Sequence, residues 1–162
     1  MPIDENVRRL LASTRIIAYP DDFTIVSIDW KEEAKARRLL RGMEAFSSVT
    51  FEAAEISLVI RADRWAELRD KFVGSREEGP YRLITFDIVL DLSVVGFMAL
   101  VSARLAEAGV SIYPISTFLR DHILVRAEDA DRATAALIEL VKECGKEREM
   151  SRSLSDYRHE GS

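Results

Sequence analysis

The feature that most constrains this chain is an order of hydrophobic periods that occurs twice. Phe23 to Ile28 (FTIVSI) is rich in β-branched and aromatic residues and predicts a strand. Lys31 to Arg41 (KEEAKARRLLR) consists of strong helix formers, with Gly42 placed as a C-terminal cap. Ser47 to Phe51 and Glu55 to Ile60 predict two more strands. Asp63 to Phe72 predicts a helix, because Trp65, Leu68 and Phe72 fall at i, i+3 and i+7. The pattern then restarts. Arg82 to Leu90 carries apolar residues at Ile84, Phe86, Ile88 and Leu90, one face of a strand. Ser93 to Ala108 predicts a helix with Val94, Met98, Val101 and Leu105 in one stripe, and Gly109 ends it. Ser111 to Thr117 and His122 to Ala127 predict two strands, the first marked as an edge or bulge by Pro114. Asp129 to Glu143 predicts the last helix. Each half reads βαββα, and the two are offset by about 60 residues.

That order implies an α+β fold of two ferredoxin-like halves of βαββαβ type packed together, with antiparallel sheets and helices on one face. Each half needs a fourth strand, which the stretch near Arg82 or a terminal segment would supply. Gly74 to Pro80 (GSREEGP) reads as the linker, and Pro20-Asp21-Asp22 as a turn. The expected organisation is an N-terminal segment over 1–15 containing a short helix, Glu5 to Ala12. A first half covers 16–78 and a second 79–144, followed by a polar tail, 145–162, expected to be disordered.

Composition excludes several classes of function. Forty-eight per cent of the 162 residues are hydrophobic, too many for a disordered chain. Yet the longest apolar runs are about five residues, far short of the roughly 20 that span a bilayer. The formal charge of −5 argues against nucleic acid as a partner. A single cysteine, Cys144, rules out an internal disulfide and a Cys-rich zinc site and fits the cytoplasm. No metal-ligand spacing or phosphate-cradling glycine cluster is present. Cys144 falls at a helix C-terminus, where the dipole opposes thiolate formation, and reads as core filler. His122 beside Asp121 has no evident serine partner and reads as a satisfied histidine. With no Gln and only one Asn, Asn6, a polar site must rely on backbone groups, hydroxyls and charges.

One segment fits that demand. In Asp91-Leu92-Ser93-Val94-Val95-Gly96, Asp91 or Ser93 can cap the following helix, whose first-turn amides then offer a site for a carboxylate. Gly96 would let a ligand or another backbone approach closely. The alternative reading is an ordinary capped helix with a packing glycine.

The run from Tyr81 to Val125 resembles an ACT domain. It carries D-L-S-x-x-G at Asp91 to Gly96 and L-A-E-A-G-V-S-I at Leu105 to Ile112. I-S-T-F at Ile115 to Phe118 and D-H-I-L-V at Asp121 to Val125 complete it. YPDDFTIVSI at Tyr19 to Ile28 and FSSVTFEAAEISLVI at Phe46 to Ile60 resemble the same family's first half. The likeness, over about residues 16–142, is to tandem ACT proteins related to the cytosolic arginine sensor of animals.

The resemblance implies a regulatory, non-enzymatic binding protein without a cofactor or metal. Its ligand would be a small molecule, an amino acid, held at an ACT–ACT interface. The site residues it implies are Asp91, Leu92, Ser93, Val94, Val95 and Gly96 on the strand-to-helix loop, and Ile115, Ser116, Thr117 and Phe118 on the facing strand. Exposed sheet edges in such halves can pair with a neighbour, so a homodimer is expected, while charge and apolar run length argue against nucleic-acid and membrane partners. Leu119 and Arg120 depart from the family's small or polar turn residues, and His122 takes an aromatic position. A ligand-free dimerisation module acting through protein–protein contact is the alternative.

Overall fold

The computed structural model describes residues 4–159. Its elements follow the order α1 (Glu5–Ala12), β1 (Arg15–Asp29), α2 (Glu33–Leu39), β2 (Ser48–Phe51), β3 (Glu55–Arg61), α3 (Ala62–Leu68), β4 (Arg76–Asp87), α4 (Phe97–Glu107), β5 (Tyr113–Ser116), β6 (Asp121–Arg126) and α5 (Ala130–His159). Short 3-10 turns precede α2 and α5 and follow α3. The doubled β-α-β-β-α order is therefore present, and the fold is α+β with antiparallel strand pairing.

The chain divides into two compact units. One comprises residues 1–18 and 84–162, the other 19–83. In the 19–83 unit the strand order is β2-β3-β1-β4. β1 pairs with β3 from Phe23↔Arg61 to Asp29↔Glu55, and β2 with β3 from Ser48↔Val59 to Phe51↔Ile56. Alternate residues Val26 and Ile28 of β1 and Ile56, Leu58 and Ile60 of β3 enter one core. They meet Ala36 of α2 and Trp65, Leu68 and Phe72 from the α3 segment. Trp65 and Phe72 stack with ring centroids 6.0 Å apart, and the Trp65 indole N–H donates to the Glu77 carboxylate.

In the other unit the order is β4-β6-β5. β5 pairs with β6 from Tyr113↔Leu124 to Ser116↔Asp121 and forms the edge, so Pro114 withholds its absent N–H where an edge tolerates it. The core holds Ile84 and Phe86 of β4, Ile123 and Val125 of β6, and Phe97, Val101 and Leu105 of α4. Val7 and Leu11 of α1 and the α5 stripe Ala133, Leu137, Leu140 and Cys144 close it. α4 ends in a Schellman arrangement: Val110 N–H donates to Leu105 C=O at 2.9 Å and Gly109 N–H to Ala106 C=O at 3.0 Å.

Four local expectations change. Pro20-Asp21-Asp22 lies inside β1 rather than in a turn. The β3 ladder ends at Phe23↔Arg61, so no β3 carbonyl is there to miss the proline N–H. The stretch read as a linker, Gly74 to Pro80, instead becomes β4 from Arg76 onward and supplies the missing fourth strand. Its Gly79 is explained by close approach, since a Cβ there would stand 3.1 Å from the Phe23 carbonyl oxygen. α4 starts at Phe97, not Ser93. Finally, α5 continues past Glu143 to His159. Gly145 alone costs a helix only about 1 kcal/mol, and the Lys, Glu, Arg and Met around it are good helix formers. α1 lies along α5, and Arg8 pairs with Glu147 beyond the glycine. Of the polar tail expected over 145–162, residues 160–162 lie outside the described residues.

Candidate functional site

β4 leaves the core at Asp87 and the chain turns through Ile88 to Gly96 before α4 begins. Asp91 organises this loop. Its Oδ1 accepts both the Ser93 N–H, at 2.8 Å, and the Ser93 hydroxyl, while its own C=O accepts the Val94 N–H at 3.0 Å. These bonds to Ser93 hold the Asp91 carboxyl below the usual carboxylate range. The side chain thus caps a tight turn, not the helix as expected. Such aspartate turns compete with helical geometry, and the β-branched Val94 and Val95 do little to extend α4 backward.

Gly96 stands at the N-cap of α4 with φ +99°. A Cβ there would meet nothing within 4 Å, so the positive φ, not close approach, accounts for the glycine. It offers no side chain to the first-turn amides, and no side-chain cap hydrogen bond is made there among the described residues. The first-turn N–H groups of an 11-residue helix are therefore left to solvent or a ligand.

The loop and helix start form one wall of a cleft of about 380 Å³. Leu90, Asp91, Leu92, Val94 and Gly96 line it together with Phe97, Met98 and Ala99 of α4. The opposite wall is the β5–β6 hairpin, through Ser116, Thr117, Arg120 and Asp121. The walls are tied together, since Leu90 N–H donates to Leu119 C=O at 2.9 Å. The hairpin turn is closed by the Thr117 N–H and hydroxyl, both donating to Arg120 C=O, at 2.9 and 2.8 Å.

Of the residues singled out from sequence, the structure places Asp91, Leu92, Val94, Gly96, Ser116 and Thr117 on this cleft. Ser93, Val95, Ile115 and Phe118 do not line it. Ser93 is turned onto Asp91, and Val95 and Phe118 are about four-fifths exposed. The helix residues Phe97 to Ala99 were overlooked because the helix was expected to begin four residues earlier. Arg120, whose sequence context allows contact with an anionic partner but favours a solvated turn residue, and Asp121, the neighbour of His122, share the lining.

Asp87, at the end of β4, links this hairpin to β1. Its Oδ2 accepts Arg15 through Nη2 at 2.6 Å and Nε at 3.1 Å, and its Oδ1 accepts Arg120 Nε at 3.2 Å. The two guanidinium groups, Arg15 first, hold its carboxyl below the usual range.

The two other side chains singled out from sequence, His122 and Cys144, are buried. His122 is buried in β6 with Nδ1 2.8 Å from the Thr85 hydroxyl, and burial pushes its pKa below the ordinary value despite the opposing charge of Asp121. Cys144 is buried in the α5 stripe, and burial raises its thiol pKa. Among the described residues no group of three His, Cys, Asp or Glu side chains could hold a metal ion. No helix among them is long and apolar enough to cross a membrane.

The 19–83 unit repeats part of this design. Asp29, at the end of β1, accepts the Lys31 N–H at 2.8 Å, just as Asp91 accepts Ser93. There the chain passes straight into a 3-10 turn and α2, without an intervening loop or an N-cap glycine.

Comparison with solved structures shows the same fold in several proteins. A Vibrio cholerae protein of unknown function, a possible transport protein, superposes with a TM-score of 0.66 at 23% identity, covering 85% of this chain and 97% of its own. An Agrobacterium tumefaciens protein gives 0.64 at 21%, covering 79% and 89%. The regulatory subunit of aspartate kinase from Thermus flavus gives 0.61 at 16%, covering 77% and 95%. At these identities the likeness is one of fold. No curated protein matches the chain in sequence. Residues 77–139 match the family model of the ACT domain, and that segment contains every residue lining the cleft.

Proposed function

We propose that the protein is a non-catalytic, regulatory amino-acid-binding module of tandem ACT type, with its ligand in the cleft between the Asp91–Gly96 loop and the β5–β6 hairpin. The observation that carries this reading is the pairing of a carboxylate, Asp91, with an uncapped helix start, Gly96 to Ala99, across one 380 Å³ cleft inside the matched ACT segment. The volume falls in the range of small-molecule sites. The helix start suits an α-carboxylate, and Asp91 or Asp121 suits an α-ammonium group. The fold neighbours include regulatory subunits of aspartate kinase, which supports a regulatory role.

The tandem reading, with halves 16–78 and 79–144 and kinship to proteins related to the cytosolic arginine sensor, rests on the doubled element order and the quoted motifs. Leu92, Val95 and Phe118, three-quarters exposed or more, crowd the two loop tips beside the cleft and suit burial against a second copy in a homodimer. The same exposed side chains favour the second reading, a module that pairs without a ligand. A reduced, buried Cys144 fits a cytoplasmic setting.

The test is a thermal-shift screen of the purified protein against the twenty amino acids. A ligand at about 100 times its Kd adds roughly 2.7 kcal/mol, or about 5–10 °C for a chain of this length. A flat screen, on protein shown by mass spectrometry of a denatured extract to carry no ligand, refutes the binding reading in favour of the pairing module. Asp91→Asn keeps the Ser93 acceptor and so the turn, but removes the charge. It is expected to weaken binding about tenfold, as loss of a charged hydrogen bond does.

A further inference from the structure

We propose, resting on the reading of this cleft as an amino-acid site, that Arg120 selects a dicarboxylic amino acid by receiving its side-chain carboxylate. Arg120 lines the hairpin wall, with its side chain 37% exposed. A guanidinium carries five N–H donors, and the structure commits one of them: Nε donates to Asp87 Oδ1 at 3.2 Å. The other Asp87 oxygen is taken by Arg15, through two nitrogens. Asp87 thus steadies Arg120 through Nε and leaves the terminal nitrogens without a side-chain acceptor among the described residues. Those nitrogens form the fork that matches a carboxylate with two parallel hydrogen bonds.

The charges around the cleft fit such a ligand in number and sign. Two groups receive anions, the start of α4 and Arg120, while two carboxylates, Asp91 and Asp121, receive a cation. One ammonium and two carboxylates satisfy all of them. An amino acid with an uncharged side chain would leave the Arg120 fork unmatched. A cationic side chain placed against Arg120 would be repelled.

The experiment is isothermal titration calorimetry of the full chain with L-glutamate and L-aspartate and with their uncharged counterparts, L-glutamine and L-asparagine. At least one acid is expected to bind about tenfold or more tighter than its amide. Arg120→Met is expected to abolish that preference, and Arg120→Lys to keep part of it, since a lysine retains charge without the fork. Melting curves of both variants establish that they fold. Equal binding of acids and amides by the wild type, or an acid preference that survives in Arg120→Met, overturns the assignment of Arg120 and leaves the cleft reading standing. If no amino acid binds the wild type, the cleft reading fails and this inference with it.

Discussion

Two glycines in the 1–18/84–162 unit are expected to answer the same substitution with opposite signs. Gly96 is held at φ +99° ahead of α4, whereas Gly145 lies within α5 and has no positive φ. A Cβ at either position would meet nothing within 4 Å, so sterics with neighbours drop out and backbone conformation alone decides. At Gly96 an alanine must accept a left-handed backbone, which costs an L residue about 1–2 kcal/mol. Even the modest benefit of a stiffer unfolded chain leaves the change destabilising. At Gly145 the alanine removes a helix-interior glycine and is worth about 0.5–1 kcal/mol in the stabilising direction. At about 2–4 °C per kcal/mol for a chain of this length, Gly96→Ala should lower Tm by roughly 2–8 °C and Gly145→Ala raise it by roughly 1–4 °C. Differential scanning calorimetry at pH 7 measures both, and because the two sites belong to one compact unit they report on the same transition. Shifts of the same sign, or a neutral Gly96→Ala, would refute the claim that φ is what the loop requires of residue 96.

Other perturbations have equally definite outcomes. Thr85→Val keeps the shape of the side chain but removes the hydroxyl that meets His122 Nδ1, and should cost about 1–3 kcal/mol in urea unfolding. His122 also gives a pH dependence. Burial lowers its folded pKa below the 6.5 of the free side chain, so the unfolded chain binds a proton that the folded one refuses. The corresponding stability is complete above pH 6.5 and is lost as pH falls through that value. Unfolding at pH 7.5 and 5.5 should show this loss in the wild type and less of it in His122→Asn. Leu137→Ala, in the core stripe of α5, should cost about 2–5 kcal/mol by cavity formation, read as an earlier urea midpoint at unchanged slope. Glu143→Gln breaks its pair with Arg104, but Glu143 is more than half exposed. The change should stay within about 1 kcal/mol and shrink further in salt.

The sequence and the structure agree where periodicity is set by burial. FTIVSI alternates because Val26 and Ile28 face one core, and the Trp65, Leu68 and Phe72 spacing survives even though α3 gives way to a 3-10 turn before Phe72. Disagreement gathers where local punctuation is overridden by tertiary context. Pro20 looks like a turn until the end of the β3 ladder shows that its missing N–H has no β3 partner to fail. Gly79 and Pro80 look like a linker until the 3.1 Å approach to the Phe23 carbonyl shows why a strand would need a glycine there. The charged, Ser-rich stretch from Gly145 looks like a disordered tail, yet α1 packed along α5 and the Arg8–Glu147 pair carry the helix into it. Proline aside, propensity is a weak prior of at most about 1 kcal/mol per residue, and a packed neighbour exceeds it.

The site divides along the same line. The Asp91–Gly96 loop was legible because its residue types are dictated locally: an aspartate that takes the Ser93 amide and a glycine at positive φ. The hairpin's share was legible only in part, because which residues of a turn reach a cleft depends on a pairing register that sequence does not fix. Ser116 reaches it as the partner of Asp121, whereas Phe118, at the turn tip, points to solvent. Arg120 was the hardest to see. Its role depends on Asp87, 33 residues away, which in turn is held by Arg15, 72 residues from it. No local pattern joins three residues at those separations. A charged turn residue looks solvated until the fold shows what steadies it, and at Arg120 that steadying contact engages Nε alone among the five donors of the guanidinium.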